Sequence, residues 1–208
     1  MSASCHHVDT FDGASPAYRR ALLAVIMINA TMFLVEMWFG IRGESQALKA
    51  DALDFLSDSA TYAVSLWAIG KASGVRSKVA LLKGYSLLFI AAWVLCSTVY
   101  YAVVANSPAA PIMGSIAMAA LLANLASVLL LLRFRDGDAN VRSVWLCSRN
   151  DTIGNAAVLL AAGLVYVTQT HWPDLIVAFL LASLFSSSAV QIIRQARQER
   201  LAEPHSHH

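Results

Sequence analysis

The sequence predicts an all-α polytopic membrane protein, a bundle of six transmembrane helices with both termini in the cytoplasm. Three observations carry that expectation. The composition is 58% hydrophobic and 13% charged, with a mean hydropathy of +0.58, whereas a soluble domain is about half apolar and about a quarter charged. Six segments are apolar over roughly the 20 residues that a helix needs to cross a core of about 30 Å. The Lys and Arg residues gather on one side of the linkers, the bias that orients membrane proteins with their basic loops inside.

The spans are expected at residues 21–40, 46–71, 79–105, 112–132, 140–167 and 173–193. Linkers 42–45, 106–111 and 168–172 then lie outside, and linkers 71–78 and 133–139 lie inside with both termini. Arg19, Arg20, Lys71, Arg76, Lys78, Lys83, Arg133, Arg135, Arg142, Arg194, Arg197 and Arg200 fall on or beside the inner side, against Arg42 and Lys49 near the outer one. The chain accordingly divides into an N-terminal cytoplasmic tail (1–18), a six-helix domain (19–194) and a short His-containing cytoplasmic tail (195–208).

The first 18 residues are polar and hold no apolar core of the signal-peptide kind, so the first span is expected to act as the insertion signal. Cys5, Cys96 and Cys147 are scattered over a tail and two spans, which is no disulfide framework. A net charge of +2 gives no reason to expect a nucleic-acid partner; the basic residues orient the chain in a lipid bilayer. Trp38, Trp67 and Trp172 near span ends suit an interfacial aromatic belt. Ala182, Ser183, Ser186, Ser187, Ser188 and Ala189 in the sixth span allow close helix packing, within the chain or at a homodimer seam.

Inside these apolar stretches stand two pairs of ionisable residues, Asp54 with Asp58 and Cys147 with Asp151. A carboxylate in hydrocarbon is costly, so an intramembrane acid is a functional candidate by default. Asp54 and Asp58 lie 8 and 12 residues beyond Gln46, and Cys147 and Asp151 lie 8 and 12 beyond Ala139. Either distance is roughly 12 to 18 Å along a helix, and opposite chain directions bring both pairs to the midplane. Residues four apart share a face, so two helices in contact present four donors to one ion. Oxygen and thiolate donors suit tetrahedral zinc, and the thiolate argues against magnesium and calcium. Cadmium, cobalt and ferrous iron stay open. A structural ion pair with Arg149 or Lys49 is the alternative, though one Arg does not neutralise three acids.

The run Ser45-Gln46-Ala47-Leu48-Lys49-Ala50-Asp51-Ala52-Leu53-Asp54-Phe55-Leu56-Ser57-Asp58 resembles the second-span signature of the cation diffusion facilitator (cation efflux) family. Asn140-Val141-Arg142-Ser143 leading to Asp151, followed by Ile153-Gly154-Asn155, is similar to the family's fifth span, and Glu36, Gly40 and Asn124 extend the match. The resemblance implies a six-helix domain that exports zinc or a related dication from the cytoplasm by proton antiport. It puts Asp54, Asp58, Cys147 and Asp151 at the four metal-ligand positions and calls for no prosthetic group. Two departures stand out. The position of Cys147 is commonly His or Asp in the family, and only 15 residues follow Ile193, so the soluble metal-binding domain of many members is expected to be absent.

Metal and proton would compete for the same carboxylates, and that competition, joined to alternating access by rocking of the second and fifth helices, makes an antiporter. Asp51, three residues before Asp54, is a candidate relay for ions or protons, or else a solvated helix-end acid. Glu36 is assigned a structural or gating role near the end of the first span. Asn155 extends the Cys147 and Asp151 face as a supporting hydrogen bonder, and Asn29 and Asn124 are read the same way. Arg149 is expected to pair with an acid on a neighbouring span. Cys5, His6 and His7, with His205, His207 and His208, are candidates for loose metal capture by the tails. A bacterial-type inner (plasma) membrane is the expected location. The alternative function is a non-transporting metal-binding sensor or partner subunit; a membrane enzyme is set aside, since no nucleophile and base pair or cofactor motif occurs within the spans.

Overall fold

Local signals set the helix ends. The computed structural model describes residues 15–67, 73–104, 108–134 and 139–202, and of these the side chains of all but 65, 73–80, 83, 139–150, 195, 196 and 199–202. Six helices follow one another: α1 (Pro16–Arg42), α2 (Gln46–Trp67), α3 (Ser73–Val104), α4 (Ala110–Leu132), α5 (Ala139–Thr168) and α6 (Trp172–Ala202). Among the described residues there is no strand. The Ser15 hydroxyl accepts the Tyr18 N–H at 3.2 Å and Pro16 opens the first turn of α1, where a missing N–H costs nothing. The helix stops at Gly43, whose N–H reaches the Phe39 carbonyl at 2.7 Å. Glu44 then takes φ 55° and turns the chain into α2.

Five helices are long and apolar enough to cross a membrane: α1, the Gly84–Val104 part of α3, α4, the Asp151–Thr168 part of α5 and the Trp172–Arg194 part of α6. The remaining helix, α2, is different in kind. Lys49, Asp51, Asp54 and Asp58 interrupt its apolar character, yet residues 45–53 are buried without a break. Packing resolves the contrast, because α2 contacts every other helix of the bundle. Where neighbouring helices cover it, α2 has no need of a lipid-compatible surface, so polarity is tolerated there.

Three apolar clusters line the bundle. The largest joins Ala47, Leu48, Ala50 and Leu53 of α2 to Ala91 and Val94 of α3, Met113 and Ala117 of α4, Val158, Ala161, Ala162 and Val165 of α5, and Ala178 and Ala182 of α6. The second holds Met32, Phe55 and Ala120. The third, at the C-terminal end of α2, gathers Tyr18, Leu22, Val25, Tyr62 and Leu131, with the Phe134 ring edge-on to Tyr18 at 5.3 Å. Small residues let helices approach, as at Gly40, where an added Cβ would stand 3.2 Å from the Lys49 backbone nitrogen. Of the sixth helix's small residues, Ala182 and Ala189 are fully buried within the chain, while Ser187 and Ser188 are exposed. Trp38, Trp67 and Trp172 are exposed near helix ends.

Candidate metal centre

The register of two helices decides what meets at the centre. α2 begins at Gln46 and α5 at Ala139, so Asp58 and Asp151 stand at the same depth along their helices. Asp54 and Asp58 follow one turn apart on α2, and Asp151 faces them from α5. Each presents one carboxylate oxygen, and these three oxygens lie within 4.8 Å of one another. Among the described residues this is the group of three or more His, Cys, Asp or Glu donors close enough to hold one ion. Asp58 is buried, Asp54 and Asp151 are half-buried, and Oδ2 of Asp151 is enclosed with no hydrogen-bond donor. Three clustered carboxylates in a largely apolar bundle repel one another as bare anions, and a dication or protons cancel that repulsion.

Cys147 and Arg149 belong to α5, but their side chains lie outside the described residues. Cys147 precedes Asp151 by one turn of that helix. Cys5, His6, His7, His205, His207 and His208 also lie outside the described residues.

The supporting residues separate into three places. Asn155 is fully buried and its side-chain amide donates to the Asp151 backbone carbonyl at 2.9 Å, so it braces the helix at the acid without reaching the carboxylate. Glu36 of α1 and Asp51 of α2 adjoin each other through their carboxyl groups. Their exposures are 0% and 1%, and both Glu36 oxygens and Oδ2 of Asp51 lack a donor. Ionised carboxyls accept hydrogen bonds and donate none, so the pair would repel as two anions and a proton or a cation between its oxygens would relieve that repulsion. Asp51 is therefore no solvated helix-end acid. Asn29 and Asn124 are buried on α1 and α4, with Oδ1 of the former and Nδ2 of the latter unpartnered.

Lys49 lies near Asp174 and Glu44 and is not a partner of the three clustered aspartates. Its ammonium lies 5.2 Å from the Tyr101 ring centre and 5.8 Å from that of Trp93 on α3, within cation–π range. Asp58 instead accepts the Tyr62 hydroxyl at 2.5 Å. Two further residues escaped sequence reasoning. Asp174 of α6 accepts the Gln46 and Ala47 N–H groups at 2.8 and 3.0 Å and the Ser45 hydroxyl at 2.6 Å. Ser97 of α3 donates to Gln46 Oε1 at 2.7 Å. Tyr62 carried a signal, its four-residue spacing from Asp58; Asp174 carried none, since an acid in the first turn of a helix is commonplace and only the tertiary fold shows that it caps another helix.

Residues 22–199 match the cation efflux transmembrane domain family. The chain belongs to the cation efflux family. It is 27% identical over 211 residues to the zinc transporter ZitB of Pectobacterium atrosepticum, an alignment covering 94% of this chain and 64% of that relative. This cation efflux chain thus spans about two thirds of the curated relative's length, and the family match takes in all three clustered aspartates.

Proposed function

We propose that this protein exports divalent heavy-metal cations, zinc first and cadmium, cobalt or ferrous iron as alternatives, in exchange for protons. The observation that carries the reading is the set of three carboxylate oxygens within 4.8 Å inside an apolar helical bundle of the cation efflux family. Asp54, Asp58 and Asp151 are the proposed ligands, with the Cys147 thiolate as the fourth, supported by its place one turn before Asp151. Oxygen donors and one thiolate fit a four-coordinate zinc ion, and the ZitB relative, a zinc transporter, supports the same metal.

All six helices are proposed to cross the membrane with both termini in the cytoplasm. For α2 the support is its 22 residues, about 33 Å of helix, together with its contacts with all five other helices. A site loaded from the cytoplasm with a dication and reset from the other side with protons stays near neutral in either state, which lowers the cost of each crossing. Movement of α2 and α5 relative to their neighbours would switch access between faces. The Glu36 and Asp51 pair is the proposed stop for protons or ions beside Asp54. The bacterial relative supports an inner (plasma) membrane location.

Flux of zinc, cadmium and cobalt into proteoliposomes under an imposed pH gradient tests this, with wild type beside Asp58→Ala. Metal movement that follows the proton gradient and vanishes in the variant is the expected result. Stoichiometric metal binding by folded wild type without flux would replace the exporter with a metal sensor or partner-dependent subunit.

A further inference from the structure

One hydrogen bond at the metal centre comes from a residue outside the ligand set. The Tyr62 hydroxyl donates to Oδ2 of Asp58 at 2.5 Å, one turn along the same helix. Tyr62 is 1% exposed and Asp58 9% exposed. The phenol ring is wedged among Tyr18, Leu22, Val25 and Leu131, with Ile26, Leu66 and Phe134 packed behind them. The hydroxyl is therefore fixed from outside the site, by contacts with α1 and α4 that have nothing to do with an ion.

A carboxylate can bind a cation through one oxygen or both. Tetrahedral zinc takes single oxygens at about 2.0 to 2.2 Å, whereas larger cations with more ligands are served by carboxylates that chelate through two. A hydrogen bond to an ionised carboxylate is of the strong, charge-assisted kind. Chelation through both oxygens would draw Oδ2 of Asp58 toward the ion and away from this donor, which the packed ring keeps from following. Partners that orient a ligand from behind change metal affinity by roughly 10- to 100-fold when removed.

We propose that Tyr62 is a positioning residue that holds Asp58 to single-oxygen ligation and so selects small four-coordinate cations over larger ones, zinc over cadmium. The inference rests on the reading of Asp54, Asp58 and Asp151 as ligands. Tyr62→Phe removes one oxygen and keeps the ring in its cluster, so the fold is expected to survive.

The test is zinc and cadmium affinity of full-length wild type, Tyr62→Phe and Asp58→Ala, by competition on one preparation of each, with the visible absorption of bound cobalt as a second readout. A ratio taken on one preparation is independent of the folded fraction. In Tyr62→Phe the ratio of cadmium to zinc affinity is expected to rise about tenfold, and the cobalt bands to weaken as the coordination number grows. Equal loss for both metals with an unchanged cobalt spectrum would show that Tyr62 only packs, and would overturn the proposal. If Asp58→Ala binds both metals as wild type does, the ligand reading fails and the role of Tyr62 falls with it. Loss of binding in Asp58→Ala with an unshifted ratio in Tyr62→Phe removes the role of Tyr62 alone.

Discussion

The Ser45 hydroxyl donates to Oδ1 of Asp174 across 129 residues of sequence, at 2.6 Å. Around it, the same carboxylate takes the first two N–H groups of α2, so one acid of α6 satisfies the start of another helix. Helix N-termini leave such donors orphaned, and in a buried setting each missing partner is costly. Asp174→Ala is expected to lower stability by about 2 to 3 kcal/mol, seen as a lower unfolding temperature in detergent. Asp174→Asn, which keeps an acceptor, should lose less.

The metal site makes a thermodynamic prediction that needs no transport assay. Zinc at about 100 times its dissociation constant should raise wild-type stability by about 2.7 kcal/mol. Asp54→Asn and Asp151→Asn remove charged ligands and should erase most of that gain while leaving the metal-free protein folded. A full zinc-induced shift in both variants would dismiss the three-aspartate site.

Cys147→His exchanges a soft donor for an imidazole that zinc also accepts. Zinc transport should persist in proteoliposomes, and the order among zinc, cadmium and cobalt should change. An unaltered order would mean that the thiol does not touch the ion.

The fully buried Glu36 and Asp51 carboxyls supply acceptors to each other and no donor. In Glu36→Gln the new amide provides one. The metal-free protein is expected to gain about 1 kcal/mol, read from thermal unfolding. A loss of stability would show that a proton shared by the two carboxyls already serves as that donor.

Two glycines give opposite expectations for the same substitution. At Gly40 a methyl group would press on Leu48 Cβ at 3.2 Å and on the Lys49 backbone, so Gly40→Ala should separate α1 from α2 at a cost of about 1 to 3 kcal/mol. At Gly163 nothing lies within 4 Å. Gly163→Ala should stabilise α5 by about 0.5 to 1 kcal/mol, the ordinary helical gain. Paired unfolding curves for the two variants check both signs.

Much of this was legible in the sequence because helices are local. Hydropathy marked the apolar helices, and the four-residue spacing of Asp54 and Asp58 put two acids on one face before any tertiary information. Their meeting with Asp151 followed from equal depth along α2 and α5. The central position of α2 was not legible from periodicity, since a helix buried by its neighbours and a helix facing water both tolerate charge. Lys49, a candidate counter-ion for the clustered aspartates by sequence, lies instead by the aromatic rings of α3 and near Asp174. The partners of Asp174 lie more than 120 residues away, beyond the reach of any local pattern.

The two ends of α2 are fastened by different physics. At Gln46 the backbone and side chain are held by directional hydrogen bonds from α6 and α3, which break outright when stretched. At Tyr62 the contacts with α1 and α4 are those of an apolar cluster, held by fit instead of by direction. The two anchors stand about 24 Å apart along the helix, on either side of Asp54 and Asp58. Hydrogen bonds strengthen where water is excluded, and apolar contact strengthens where water is near. The helix that carries the aspartates therefore keeps one firm hold in either surrounding.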